Sequence, residues 1–225
     1  MGYDFLPVNL RMKDRHCLVV GGGKVALRKI STLLDYGCKI TVVAPQVEQQ
    51  IEYFEERKFV ALEKRPYKSP EAATYDLVIA ASSDMKLNEQ VANDANSANV
   101  PVNVVDTPRL CDFTFPAILR RDCLTVSVST DGKAPFLSGQ LRVILETVFP
   151  DRWAKIAQIA AKYRKIVVRM WNSSMDQKIR AYERFLNADW KSLLQDMRDE
   201  EIDEYINVLA EGPRPQAEQD KDNDN

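Results

Sequence analysis

A glycine-rich turn between an apolar run and a helical pattern is the feature that most constrains the fold of this chain. The run His16–Val20 predicts a buried strand, and Gly21, Gly22 and Gly23 follow it directly. The spacing of Gly21, Gly23 and Ala26 fits the G-x-G-x-x-G/A fingerprint, whose glycines permit a tight turn and close approach to a pyrophosphate. A helix that begins here would point its free N–H groups at those phosphates. A glycine-rich turn without a ligand is the alternative interpretation.

The segments on either side support a βαβ unit. Residues Val25–Tyr36 have helical spacing and are followed by Gly37, a residue typical of helix ends, and Lys39–Val43 predicts a second strand. The acid that usually follows this strand and binds a ribose hydroxyl is missing, because Pro45 and Gln46 lie in that region. We expect backbone groups around Pro45 and Gln46 to hold the ribose, so this position does not decide between NAD and NADP.

Strand and helix patterns alternate up to residue 106. The predicted strands are Phe59–Leu62, Asp76–Ala81 and Pro101–Val105. Surface helices are predicted at 46–58 and at 86–99, the second capped within Ser82-Ser83-Asp84. This alternation predicts an α/β fold with a Rossmann-type, doubly wound parallel sheet.

The pattern changes after residue 112. Two β-rich runs, Phe113–Arg120 and Leu124–Ser129, predict an antiparallel hairpin, and Pro135 is placed to begin a helix that reaches Phe149. A lone hairpin is barely stable, so we expect it to need a partner, most simply its copy in a second subunit of a homodimer.

Helical spacing of apolar residues continues beyond Pro150, with further helices at 175–186 and in the region 190–209. Their aromatic residues are interpreted as helix-packing core. The predicted domains are 1–112, a NAD-binding Rossmann domain; 113–150, a dimerisation segment; 151–211, a helical domain; and 212–225, a disordered acidic tail.

Composition narrows the classes of partner. The net charge is −2, and basic residues concentrate in 151–195 while acidic residues concentrate in 196–225. We interpret the basic segment as a solvated helix face and expect neither a nucleic acid nor a membrane partner. The four cysteines form no C-x-x-C pair, and no signal-peptide pattern is present, so a cytoplasmic location with reduced thiols is expected.

Candidate site residues follow the carboxyl ends of the predicted strands. Ligands of open α/β sheets bind at that edge, which brings the glycine turn, Ser82 and Asp106 toward one crevice. Asp106, at the end of an apolar strand and partly shielded from water, suits general acid or base work, although it could instead cap the turn at Thr107-Pro108. The single histidine, His16, lies at the opposite strand end, so no metal site is predicted.

Several segments together resemble the precorrin-2 dehydrogenase family, the amino-terminal modules of siroheme synthases and their free-standing relatives. The resemblance covers about residues 3–150. It is carried, in order, by Val20–Lys29, Asp76–Ala81, Val102–Asp106, Cys111–Ala117 and Val126–Thr130.

The resemblance implies NAD-dependent oxidation of the tetrapyrrole precorrin-2 to sirohydrochlorin by a homodimer. It implies that Lys24 and Val25, with Pro45 and Gln46, contact the cofactor, and that Asp106 is catalytic. Thr130 matches a serine that is open to modification in some relatives, and Asp131 replaces a glycine of the same loop.

The substrate that the resemblance implies carries eight carboxylates, so the rim of the cleft should be basic. The candidates for substrate binding are Arg28, Arg109, Arg120 and Lys133, with Lys29 and Arg142 also available. Some relatives also insert iron into the product, which is a second possible activity. A non-catalytic module that senses NAD(H) is the alternative from another class.

Overall fold

The structure is a computed structural model that describes residues 4–213. The described chain divides into two compact units. The first ends at Phe115 and also contains Thr130–Ala134; the second contains Pro116–Ser129 and the chain from Pro135 onward. Most of the tail predicted at 212–225 lies outside the described residues. Within the described residues, no helix is both long and apolar enough to cross a membrane.

The first unit is built on a five-stranded parallel sheet with the order β3-β2-β1-β4-β5. Its strands are β1 His16–Val20, β2 Lys39–Val43, β3 Ala61–Glu63, β4 Leu77–Ala80 and β5 Val102–Val104. Strands β2 and β3 lie on one side of β1, and β4 and β5 lie on the other, so the strand order reverses at β1. The predicted doubly wound sheet is confirmed. In such sheets the ligand site lies at the carboxyl ends of the strands, where the order reverses.

Helices cover both faces of this sheet: α1 Lys24–Leu34, α2 Gln49–Glu56 and α3 Met85–Ser97. Side chains of a strand alternate between faces, so Cys17 and Val19 pack with Ile30 of α1, whereas Leu18 packs with Val91 of α3. Burial on both faces explains why β1 and β4 are almost wholly apolar.

The second unit combines a hairpin with five helices in the described chain. Strands β6 Ala117–Arg121 and β7 Leu124–Val128 pair antiparallel and pack on α4 and α5. The helices are α4 Pro135–Val148, α5 Arg152–Met170, α6 Met175–Asn187, α7 Trp190–Asp196 and α8 Asp199–Glu211. The Tyr163 hydroxyl donates to the Ala181 carbonyl at 2.7 Å, and Trp190 Nε1 donates to the Phe185 carbonyl at 2.8 Å. The aromatic residues are packing core, as expected.

Several predicted boundaries differ from the structure; α1 spans 24–34 rather than 25–36, and α2 spans 49–56 rather than 46–58. Strand β6 begins at Ala117, not at Phe113, because Phe113 and Phe115 pack against the core of the first unit and Pro116 has no N–H for strand pairing. Strand β3 begins two residues later than predicted, at Ala61. The helical region 190–209 is two helices, because Arg198 is the N-cap of α8, with its N–H donating to Glu201 Oε2 at 2.7 Å.

Candidate active site

The glycine turn is held by close backbone contacts that require its first two glycines. Gly21 has φ +125°, and a Cβ there would lie 2.3 Å from the Ala81 carbonyl oxygen. A Cβ on Gly22 would lie 2.1 Å from the Gln46 carbonyl oxygen. The loops after β1, β2 and β4 therefore meet at the turn, and a side chain at either glycine would push them apart.

Gly23 is different, because it faces open space. It precedes α1 in an extended conformation with φ −82°, and no described atom lies within 4 Å of a Cβ added there. No side chain caps α1, so the N–H groups of its first turn, including those of Lys24 and Val25, are available to an anion. Lys24 and Val25 are also exposed. This arrangement fits the pyrophosphate of a dinucleotide.

The loop after β2 lies directly against the turn. The Glu48 N–H donates to the Gly22 carbonyl at 2.8 Å, which fixes the exposed Pro45 and Gln46 beside the glycines. Gln46 is the only side chain of this pair with hydrogen-bonding groups, so the donors and acceptors that this loop offers are its amide and the backbone.

Ser82 follows β4 and is fixed by a residue that the sequence analysis missed. Asn88 is 1% exposed, accepts from the Ser82 N–H at 3.1 Å and donates to the Ser82 carbonyl at 2.9 Å. The predicted cap is confirmed at Asp84, which accepts from the N–H groups of Lys86 and Leu87. Asn88 shares the inward face of α3 with Val91, and a lone amide on an apolar helix face is the signal that could have revealed it.

Asp106 follows β5 at the same edge of the sheet. Its neighbours are fixed by backbone hydrogen bonds, Val105 N–H to the Ala80 carbonyl at 2.9 Å and Thr107 N–H to the Val104 carbonyl at 3.3 Å. Asp106 has φ +57° and is exposed, so the expected partial shielding from water is wrong for the chain alone. The turn that Asp106 could have capped begins at Thr107 without a side-chain cap, so that alternative is not supported.

The segment after Asp106 covers the free edge of β5. Asp112 N–H donates to the Val102 carbonyl at 2.9 Å, and Asp112 Oδ2 accepts from the Val102 N–H at 3.0 Å. Asn103 Nδ2 donates to the Phe113 carbonyl at 2.9 Å. These bonds carry the chain from Asp106 back across the face on which α1 lies.

Lys29 of α1 lies on this face, with its Nζ 3.8 Å from the centroid of the Phe115 ring. Burial, assisted by the charge of Arg28, lowers the pKa of Lys29 from 10.5 to about 8, while Cys111 and Asp106 act in the opposite direction. The ammonium thus lies in a partly apolar environment in which the charge of Asp106 still acts on it. The sequence offered Lys29 only as one of several basic residues.

The four residues predicted to bind substrate are not gathered in one unit. Arg28, Arg109 and Lys133 belong to the first unit and are exposed, whereas Arg120 is exposed on β6 of the second. Arg109 pairs with Glu89 at 2.8 Å, and Lys133 lies 3.9 Å from Asp4.

The loop at 130–134 is closed by Thr130. Its Oγ1 accepts from the Ala134 N–H at 3.1 Å, and its carbonyl accepts from the Lys133 N–H at 2.9 Å. Asp131 has φ +53°, a conformation that suits the glycine it replaces in the resembled family.

His16 lies at the amino end of β1, as the sequence analysis expected. Its Nε2 is 2.8 Å from Thr41 Oγ1, and its N–H donates to Asp76 Oδ2 at 2.8 Å. These contacts fix the side chain and backbone of His16 at the amino end of the sheet. Because it is the single histidine of the sequence, the carboxyl edge of the sheet has no histidine.

Comparisons with known proteins agree with this geometry. A family model described as "Putative NAD(P)-binding" matches residues 8–117. Siroheme synthase of Methylococcus capsulatus is 43% identical over 164 residues, which are 73% of this chain and 35% of that protein. Siroheme synthase of Nitrosococcus oceani is 34% identical over 208 residues, 92% of this chain and 44% of that protein. The chain thus spans less than half the length of each of these relatives.

Among solved structures, the protein described as "SirC, precorrin-2 dehydrogenase" has the same fold, with a TM-score of 0.74 over 90% of this chain and 98% of that one, at 24% identity. The sheet, the glycine turn and the uncapped helix define the first unit as a Rossmann-type dinucleotide-binding domain. The chain is similar to siroheme synthases over 73% and 92% of its length, and to a solved precorrin-2 dehydrogenase in fold.

Proposed function

We propose that this chain oxidises precorrin-2 to sirohydrochlorin with NAD as the acceptor. The main observation behind this proposal is that the uncapped N-terminus of α1 and the exposed carboxylate of Asp106 lie at the same edge of one parallel sheet. A cofactor at the glycines and a proton acceptor after β5 therefore open toward a common ligand. The similarity to siroheme synthases supports a tetrapyrrole as that ligand.

The cofactor would be held by the loops that meet at the turn. Gly21 and Gly22 shape it, while Gly23 and the N–H groups of Lys24 and Val25 receive the pyrophosphate. The ribose would lie along Pro45 and Gln46, and Ser82 would face the other side of the cofactor. When bound, nicotinamide supplies the acceptor for the hydride that leaves the substrate.

The proposed role of Asp106 is to take the proton that accompanies the hydride. Forming one more conjugated pyrrolic unit removes both, and a carboxylate within reach of the reacting carbon can accept the proton. Its side chain receives no hydrogen bond among those recorded for the described residues, so its oxygens are open to substrate. Arg28, Arg109 and Lys133 of the first unit are the proposed partners of the substrate carboxylates.

The experiment is an anaerobic assay of the purified chain with NAD and precorrin-2, followed by the absorbance of NADH and sirohydrochlorin. Asp106→Asn is the informative variant, because Asn also tolerates a left-handed backbone whereas Ala does not. It should retain NAD binding and slow turnover by about 100-fold. Full activity in this variant would remove the role of Asp106, and NAD binding without turnover by the wild type would favour the sensing module.

The same assay separates the second possible activity. Ferrous ion is added after the dehydrogenation is complete, and the spectrum is compared with a protein-free reaction. A change faster than in that control would show chelation as well, whereas equal rates would leave dehydrogenation alone.

We also propose that the protein is a homodimer with α4 in the interface. One stripe of α4, at i, i+4, i+7 and i+11 spacing, is apolar and exposed: Leu137, Leu141, Ile144 and Val148 at 44%, 38%, 50% and 56%. An apolar stripe of this length is unfavourable in water, and a second copy of the same helix would cover it. Ile144→Glu should convert a dimer into a monomer in analytical ultracentrifugation, whereas a wild-type monomer would contradict the proposal.

The proposed location is the cytoplasm. All four cysteines, Cys17, Cys38, Cys111 and Cys123, are free thiols in the structure, which suits a reducing compartment.

A further inference from the structure

Lys29 is a partly buried cation that lies against an aromatic face and has no described carboxylate in direct contact. Its Nζ lies 3.8 Å from the Phe115 ring centroid, which attracts the ammonium and limits where it can move. None of the ion pairs or hydrogen bonds recorded for the described residues includes Lys29. A lysine of this kind is costly to keep charged unless an anion completes its environment.

The position of Lys29 on α1 relates it to both parts of the proposed site. It lies one helical turn after Val25, and residues four apart share a helix face. Val25 is in the first turn, where the cofactor phosphates are proposed to bind, so Lys29 lies beyond the reach of the N-terminal amides. The titratable groups that act on it are Arg28 on the same helix and, on the segment after β5, Asp106 and the Cys111 thiol.

We infer that Lys29 is a substrate-binding residue that anchors one carboxylate of the tetrapyrrole beside Asp106, using the Phe115 ring as a support for its ammonium. The inference rests on the proposed function and adds a residue that would set the position of the macrocycle. An incoming carboxylate would give the ammonium a directly bound anion in a partly apolar environment, where a charge-assisted hydrogen bond is strong.

The pH dependence follows from the same neighbours. Burial and Arg28 lower the pKa of Lys29 to about 8, although Asp106 and Cys111 act to raise it. The unliganded protein therefore loses this positive charge as the pH rises through about 8. Affinity for a polycarboxylate should fall over the same interval. An arginine at this position would keep its charge, so the affinity would no longer fall over this pH interval for this reason.

The test uses Lys29→Met and Lys29→Arg, with Lys39→Met as the control for loss of one lysine charge. Lys39 is exposed at the amino end of β2, the edge of the sheet opposite the site. Sirohydrochlorin binding is measured by absorbance titration, NAD binding by calorimetry, and turnover by kcat and KM for precorrin-2. Melting temperature reports that each variant is folded.

We expect Lys29→Met to weaken sirohydrochlorin binding and raise KM by about ten-fold, with NAD affinity and kcat within about two-fold of wild type. Lys29→Arg should bind within about three-fold of wild type and stay tight above pH 8. Lys39→Met should match wild type.

The outcomes separate this inference from the proposed function. Wild-type turnover with unchanged binding and KM in Lys29→Met would overturn the role of Lys29 alone. A loss of NAD affinity in Lys29→Met with unchanged sirohydrochlorin binding would assign the lysine to a cofactor phosphate and overturn the inference. A wild type that neither turns over precorrin-2 nor binds sirohydrochlorin would remove the proposed function, and the inference with it.

Discussion

Cys111 Sγ lies 3.2 Å from both the amide nitrogen and the carbonyl oxygen of Val104, and so takes the place of a neighbouring strand at the free edge of β5. Burial raises the pKa of the Cys111 thiol, which keeps it protonated and able to donate to the carbonyl. Asp112 pairs with Val102 in the same way, since its N–H donates to the Val102 carbonyl and its carboxylate accepts from the Val102 N–H. The short strand that precedes Asp106 is therefore held on both sides.

This relationship predicts different effects of two small substitutions at Cys111. Cys111→Ser keeps a donor and an acceptor and should change the free energy of unfolding by less than about 1 kcal/mol. Cys111→Ala removes both partners of Val104 and should cost about 1 to 2 kcal/mol, measured by urea denaturation. Equal stability of the two variants would show that Cys111 contributes only volume.

Two alanine substitutions in the glycine turn should separate folding from cofactor binding. Gly22→Ala places a Cβ 2.1 Å from the Gln46 carbonyl oxygen and should destabilise the first unit by about 2 kcal/mol or more. Gly23→Ala meets no described atom and should cost at most about 1 kcal/mol, but weaken NAD binding about ten-fold or more by blocking the pyrophosphate. Calorimetry with NAD gives the second value. Wild-type affinity in Gly23→Ala would place the phosphates elsewhere.

The sequence predicted the sheet well because its signals are local. Periodicity and burial are visible in His16–Val20 and Leu77–Ala80, where nearly every residue is apolar, and the glycines mark the turn without reference to the rest of the chain. The start of β6 was wrong by four residues, because Phe113 and Phe115 have strand-like propensity but pack against the first unit.

The site was predicted less completely, since its details depend on contacts between distant residues. The position of Asp106 after β5 follows from the sequence, but its exposure does not. The hydrogen bonds between Asn88 and Ser82 and the contact of Lys29 with the Phe115 ring arise only when α1, α3 and the segment after β5 are brought together.

Glu71 should stabilise the first unit in a pH-dependent way. Arg65 donates from Nη1 and Nη2 to its two carboxylate oxygens at 2.9 and 2.6 Å, which lowers the pKa of Glu71, and the Lys68 N–H also donates to it. A carboxyl whose pKa is lower in the folded state stabilises at neutral pH and loses that contribution as the pH falls through the folded value. Glu71→Gln should therefore cost about 1 to 2 kcal/mol at neutral pH and progressively less below the ordinary carboxyl pKa of 4.5.

Urea denaturation at several pH values measures this effect. Glu56→Gln, at the exposed end of α2, is the matched control and should cost little at any pH. A cost of Glu71→Gln that does not change with pH would mean that hydrogen bonding, rather than the charge of Glu71, supplies the stability.

Lys29 should affect stability with the opposite sign. The pKa of Lys29 is about 8 in the folded chain, and its ordinary value, which holds in the unfolded chain, is 10.5. Between pH 8 and 10.5 the unfolded chain therefore binds more protons than the folded chain. Stability then rises with pH over that interval, because the folded state sheds an unfavourable buried charge first. Lys29→Met should melt at a higher temperature than wild type near pH 7, and the difference should shrink as the pH approaches 10. Calorimetric melting in the absence of ligand, with Lys39→Met as the control, measures this difference in melting temperature.

A difference that stays constant or widens with pH would show that the Lys29 ammonium is well solvated in the folded chain.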